Sequence, residues 1–241
     1  MAGTFGRDGV TPSYSRFAVP ESMHDVLAYH INVSFLVRTH RQSGILFYIG
    51  TDPSAAGSNK TFITIELSEV GIVSRVKLGD EVQTNVLPAS VADGLQHIVH
   101  LFRNYSLLQL QVDNTLKVFS INFSVPLVPD VLYLGWIPSE SHRRRRRQID
   151  SLPNNQFSGT MQDFWLNDLR LQPVNHTSQD GTLAPVVELP VDTLNVDVSE
   201  QSDNMCLDMP CENNATCQTE FYNKFRLLMS PFCCYSRVAH N

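Results

Sequence analysis

Cysteine is absent from the first 205 residues of this 241-residue chain, since all five lie at Cys206, Cys211, Cys217, Cys233 and Cys234. Whatever folds ahead of Cys206 is held by packing and hydrogen bonds, without a disulfide of its own. Long apolar runs are also missing: no stretch approaches the roughly 20 residues of a membrane-spanning helix. The opening MAGTFGRDGV lacks the apolar core of a secretory signal. On that ground the chain is either a fragment of a longer secreted protein or a cytosolic one. Positive charge is scarce, with 18 Lys and Arg against 24 Asp and Glu, and the net charge of −6 argues against a nucleic-acid binder. No glycine-rich phosphate loop and no C-x-x-C pair is present. The eight histidines form no recognisable catalytic motif, so no enzyme activity is expected. His97 and His100 stand three apart in a strand-like run, which sends them to opposite faces and makes them poor joint metal ligands.

What is present is alternation. Ile31, Val33, Phe35 and Val37 alternate with Asn32, Ser34 and Arg38; Ile63, Ile65 and Leu67 with Thr64, Glu66 and Ser68; Leu108, Leu110 and Val112 with Gln109, Gln111 and Asp113. Period two marks strands with one buried face. Gly50-Thr51-Asp52-Pro53, Gly79-Asp80, Asp93-Gly94 and Asp113-Asn114 punctuate them as turns. Many short strands at regular spacing predict an all-β sandwich or barrel, and 42% hydrophobic residues suffice for its core.

Between the strands expected at Val131–Trp136 and Phe157–Leu171 lies a polar insert carrying Arg143, Arg144, Arg145, Arg146 and Arg147 in a row. Five adjacent guanidinium groups repel one another, so the insert must be a solvated loop. Clustered Arg attracts sulfates and carboxylates, which makes the run a candidate ligand-binding segment for heparin-like glycans. The same run fits the Arg-x-Arg-Arg pattern of basic-residue convertases, with the cut between Arg147 and Gln148. Six N-x-[ST] sequons, at Asn32, Asn59, Asn104, Asn122, Asn175 and Asn214, exceed the roughly two or three expected by chance and favour a secreted fragment. Asn32 and Asn122 are flanked by apolar residues, so both side chains should face solvent.

Five segments occur in order: S-G-I-L-F-Y-I-G (Ser43–Gly50), F-I-T-I-E-L (Phe62–Leu67), A-D-G-L-Q-H-I-V (Ala92–Val99), L-L-Q-L-Q-V-D (Leu107–Asp113) and F-S-G-T-M-Q-D-F-W-L-N (Phe157–Asn167). Together they resemble a laminin G-like domain over residues 15–172. The resemblance implies a two-sheet antiparallel jelly-roll sandwich that binds proteins or glycans along a rim of loops. Gln96 stands where the family usually has Trp, Thr160 where it often has Cys, and Trp136 where it has a small residue. The family's C-terminal disulfide is therefore missing. The resemblance also places a calcium-binding Asp just before Phe62, where this chain has Lys60 and Thr61, so no cofactor is expected. Asp52 in the preceding loop is the geometric substitute, although a turn-forming Asp is its plainer reading.

Residues 1–14 are then expected as an N-terminal extension and the acid-rich stretch 173–205 as a linker. Cys206-x4-Cys211-x5-Cys217 resembles the first half of an EGF-like repeat, which implies a disulfide between Cys206 and Cys217. The second half fails, because Cys233 and Cys234 are adjacent where the family has C-x-C; residues 206–241 are an incomplete repeat. The combination is most similar to a stretch of a Crumbs-type extracellular protein, and eyes-shut and Slit-type proteins share the same modular grammar. The expected function is non-catalytic adhesion or recognition in an ectodomain, with an extracellular protein or glycan as partner. Neither nucleic acid nor membrane contact is expected for this stretch.

Overall fold

The computed structural model describes residues 2–7, 11–55, 60–138, 156–173 and 187–197, together with the backbone of two strands, 216–220 and 224–228. In chain order the elements are β1 (Ala2–Phe5), β2 (Tyr14–Ala18), α1 (Glu21–Leu27), β3 (His30–Arg38), β4 (Gly44–Gly50), β5 (Phe62–Ser68), β6 (Gly71–Lys77) and β7 (Val82–Leu87). They continue with β8 (His97–Asn104), β9 (Leu107–Val112), β10 (Thr115–Ser120), β11 (Val131–Leu134), β12 (Gly159–Leu166) and β13 (Leu169–Leu171). The last are β14 (Val187–Glu188), β15 (Asp192–Leu194), β16 (Val196–Asp197), β17 (Thr216–Glu220) and β18 (Lys224–Leu228).

Two sheets pack face to face. The first runs β10-β9-β8-β3-β12-β1-β16, with β13 paired to β12 and the short β14 added parallel to β13; the second runs β15-β2-β11-β4-β5-β6-β7. All other pairings are antiparallel, so the fold is the two-sheet jelly-roll sandwich that the resemblance implied, one of the two architectures the alternation predicted. A separate hairpin joins β17 to β18. The inward residues of β3, Ile31, Val33, Phe35 and Val37, are buried, as are Leu108, Leu110 and Val112 of β9. Removing such side chains from water is the main force holding the layers together. Phe164 of β12 stacks on Phe35 of β3 at 4.8 Å and on Phe47 of β4 in the opposite sheet at 5.8 Å, bridging the two.

Several expectations change. Residues 1–14 are not a free extension: β1 lies inside the first sheet between β12 and β16, with Phe5 fully buried. The stretch 173–205 is not wholly a linker either, because β15 and β16 pair with β2 and β1. All three side chains of β15 are exposed, so backbone hydrogen bonds place it and no apolar pattern announces it. Thr64 and Glu66 do not face water as the alternation suggests. Both are buried, with the Thr64 hydroxyl donating to Glu66 Oε1 at 2.6 Å and Arg75 Nε donating to Glu66 Oε2 at 3.1 Å. A buried carboxylate tolerates such a place only when its oxygens are bonded in this way.

Arg103 is the most conspicuous buried polar group. It is fully enclosed, its Nε donates to the Tyr105 carbonyl at 3.1 Å, its Nη1 donates to the Ala28 carbonyl at 2.9 Å, and its guanidinium lies 5.7 Å from the Phe123 ring centre. Burial pushes the guanidinium down to about 10, opposed by Tyr29. One side chain thus ties the end of α1, the β8–β9 turn and the segment after β10. Arg103→Ala should therefore cost about 3 kcal/mol in urea denaturation, because the Ala28 and Tyr105 carbonyls each lose one donor and a cavity opens. Arg103→Met should cost less, since it refills the space. Wild-type stability in the alanine variant would contradict this role.

Candidate functional site

Antiparallel pairing gathers the loops at two ends of the sandwich. One rim holds the β4–β5, β6–β7, β8–β9 and β10–β11 connections, and the other holds the β3–β4, β5–β6, β7–β8 and β9–β10 connections.

At the first rim lies the position where the resemblance would put calcium. Asp52 Oδ1 accepts from Ser54 N at 2.9 Å and Ser54 Oγ at 2.7 Å, and its Oδ2 accepts from Arg16 Nη2 at 3.0 Å. Burial alone would raise the Asp52 carboxyl, but the bonds from Ser54 and Arg16 outweigh it and hold the group below its ordinary value. Lys60 Nζ donates to the Pro53 carbonyl at 2.5 Å, and Thr61 Oγ1 accepts from Val128 N at 2.8 Å. Calcium requires six or more oxygen ligands free to converge. Here the carboxylate is an Asx turn already paired with a cation, and an ammonium occupies the loop. These residues do not fit the metal.

Behind this rim, the outer face of the second sheet carries an aromatic row that no single segment reveals. Trp136 and Tyr14 stand 6.1 Å apart, Tyr14 and Tyr133 5.8 Å, Tyr133 and Tyr48 6.1 Å, and Tyr48 and Phe62 5.9 Å. The Tyr14 hydroxyl donates to Asp192 Oδ2 at 2.7 Å and is pushed up to about 12, by burial first and then by Asp192. Tyr48, Phe62, Tyr133 and Trp136 are buried, so the row is a second packing layer and not an open sugar platform. The only sequence signal for it is Trp136 itself, where the family resemblance expects a small residue.

The opposite rim is more open. A cleft of about 270 Å³ is lined by Arg41, Ser68, Glu69 and Ser90 over Leu67 and Val91. Beside it, His97 is held between two carboxylates, Nδ1 to Asp113 Oδ2 at 2.7 Å and Nε2 to Asp93 Oδ1 at 2.9 Å. This clamp joins the β7–β8 loop to the β9–β10 turn, where Asp113 adopts φ of 50°. The described residues Pro138 and Gln156, which bracket the arginine insert, leave from this same rim.

Residues 37–169 match the laminin G domain family. The chain belongs to that family. Over 224 residues it is 29% identical to human protein crumbs homolog 2, a match covering 90% of this chain and 14% of that protein. The chain therefore spans a small part of that relative's length. Among solved structures, domains LG4-5 of the mouse laminin alpha1 chain align with a TM-score of 0.58 at 20% identity, over 81% of this chain and 46% of that one. The LG1-3 region of the laminin alpha2 chain aligns at 0.54 and 18% identity, over 68% and 30%. These two likenesses support the fold.

On this laminin G domain, the predicted site residues are dispersed. Asn32, Asn104 and Asn122 are all exposed, while Asn59, Asn175 and Asn214 lie outside the described residues. So do Arg143, Arg144, Arg145, Arg146, Arg147 and Gln148, and so does Cys206; Cys217 falls on β17, of which the backbone alone is described. His97 and His100 take opposite faces of β8: His97 enters the clamp, and His100 Nε2 meets Asn32 Oδ1 at 2.5 Å on the outer face.

The clamp has a pH signature. Burial lowers His97, but its bonds to Asp113 and Asp93 outweigh that and the net shift is upward; Asp93 and Asp113, opposed by burial, are lowered by His97. The histidine's contribution is complete below its unfolded value of about 6.5 and is lost as pH rises through the raised folded value. The carboxylates' contribution is complete above about 4 and is lost as pH falls through their lowered values. The stability gap between wild type and His97→Gln, measured by denaturation across pH, should therefore peak between about pH 4 and 6.5 and shrink on both sides. A gap that stays flat from acid to alkaline pH would remove the clamp.

Proposed function

We propose that this laminin G domain is a non-catalytic recognition module in the extracellular region of a Crumbs-like cell-polarity protein, with a protein or glycan as ligand. The observation that carries the reading is the similarity to crumbs homolog 2 along nine-tenths of the chain. Within the described residues no helix is long and apolar enough to cross a membrane. The histidine with the most elaborate surroundings supports a structural role over catalysis, because both ring nitrogens of His97 are taken by carboxylates and neither is left for a substrate proton. A glycan-binding reading is favoured by one observation, that Pro138 and Gln156, the described residues on either side of the arginine insert, lie at the rim that carries the cleft. In this reading Arg143–Arg147 contact sulfates or carboxylates. The EGF-like half, with its Cys206–Cys217 disulfide, belongs to the same proposal.

Staining of live epithelial cells with the secreted domain separates the readings. Staining that survives heparinase and replacement of Arg143–Arg147 by Ser indicates a protein ligand; staining lost to both indicates a sulfated glycan. Absence of staining by every form would sink the recognition reading. On a heparin column, the serine variant should elute at clearly lower salt than wild type if the glycan reading holds.

The convertase motif predicts a second outcome. Cleavage between Arg147 and Gln148 would leave β12 bonded to β3 and β1, with Phe157, Phe164 and Leu166 buried. The nicked halves should stay together, giving two bands on a denaturing gel and one particle in native sizing. Intact chain after convertase treatment of folded protein would end this idea.

A further inference from the structure

The outer face of the first sheet mixes exposed apolar side chains with Asn32, Ser34, His100, Gln109 and Gln111. Cross-strand pairing aligns Leu36 with Ile98, Trp165 and His100 with Ser34, Leu116 with Gln111, and Val118 with Gln109 and then Phe102. Ile98, Leu116, Val118 and Trp165 are 46%, 54%, 50% and 38% exposed, and Leu36 and Phe102 are half-buried. Among them, Phe102 and Trp165 are the aromatic side chains nearest Asn32, and exposed aromatic surface is ordinarily covered by something. At the centre of the face stands a sequon, Asn32-Val33-Ser34. Asn32 is exposed and pairs directly with Phe102, and Ser34 pairs with both His100 and Trp165. Asn104 and Asn122, the other described sequon asparagines, lie at the β8–β9 turn and after β10.

We propose that Asn32 carries an N-linked glycan whose first sugar lies over this face, packed on Phe102 and Trp165. The proposal rests on the extracellular reading above. In the transfer, Asn32 Nδ2 forms a bond to C1 of N-acetylglucosamine, and the C1–O bond to a polyprenyl pyrophosphate donor breaks. The pyrophosphate departs with the bonding pair, and the displaced Nδ2 proton passes to base. Directly paired Cβ atoms lie about 5 Å apart and diagonal ones about 7–8 Å, so the first pyranose ring reaches Phe102 beside Asn32 and Trp165 on the diagonal. Its C–H face suits an aromatic platform. Asn32 Oδ1 is already held by His100 Nε2, which orients the amide, and the Arg170 guanidinium lies 5.9 Å from the Trp165 ring centre and steadies it. Ser34, needed by the transferase, has no competing role in the core.

The test uses the full chain secreted from mammalian cells behind a heterologous signal peptide. Glycopeptide mass spectrometry should find Asn32 occupied. The chain has two tryptophans, and Trp136 is buried, so acrylamide quenching reports Trp165. Protein trimmed by an endoglycosidase to a single N-acetylglucosamine should remain as protected as the untrimmed form. Ser34→Ala, which keeps Asn32 and its bond to His100, should be quenched about twofold more strongly and bind more of an apolar dye. Complete enzymatic removal of glycans from folded protein converts Asn32 to Asp, so that form is compared with an unglycosylated Asn32→Asp variant. Asn32 bare while any other sequon is occupied overturns the proposal and leaves the extracellular reading standing; all six bare overturns both. Asn32 occupied, with quenching unchanged by removal of the sugar, overturns the packing on Trp165.

Discussion

A single irregularity in β12 decides which way the centre of the first sheet faces. Between Gln162 and Trp165 the register with β3 slips, and Asp163 takes φ of 50°, bonded to Arg170 at 3.1 Å. Before the slip Met161 points inward; after it, Phe164 and Leu166 do. Strict alternation from Met161 would have buried Trp165 and exposed Phe164. The stack of Phe35, Phe164 and Phe47 that joins the sheets therefore depends on one extra residue. The same residue turns Trp165 out onto the face that carries Asn32. Core and surface share one cause.

That irregularity also marks the limit of what could be read in the sequence. Strands β3, β5 and β9 were legible because alternating large apolar residues leave one register that buries them. The turns at Asp93-Gly94 and Asp113-Asn114 were legible because those residues accept tight backbone geometry. Strands β1, β15 and β16 were not, since they are two to four residues long, too short for a period to show. Thr64 and Glu66 misled because they pair with each other and with Arg75 inside a second packed layer. The aromatic row from Trp136 to Phe62 draws on four strands and the segment after β11, so no local window contains it. The separation of His97 from His100 followed directly from period two, while the two acids around His97 come from sequence positions that only the fold brings together.

At the rim where the resemblance expects calcium, side-chain cations stand near Asp52. Asp52 keeps a cation, but the cation is Arg16, and a second positive group, Lys60 Nζ, rests on the loop's own carbonyl at Pro53. Covalently attached cations need no supply from solution and vary less with ionic conditions than a bound ion would. They also confer no preference for an acidic ligand bridging through metal. Recognition is left to side chains and to whatever the opposite rim presents.

The position of β1 and β2 has a consequence for how the molecule is made. β1 sits between β12 and β16, and β2 between β11 and β15, so the earliest strands find their partners more than a hundred residues later. Closing such long loops costs entropy before any contact rewards it, and proteins built this way fold slowly. As the chain leaves the ribosome, Tyr14–Ala18 waits with both edges unpaired until Leu134 and then Leu194 have emerged. Through that interval the nascent protein offers two open strand edges to any neighbour.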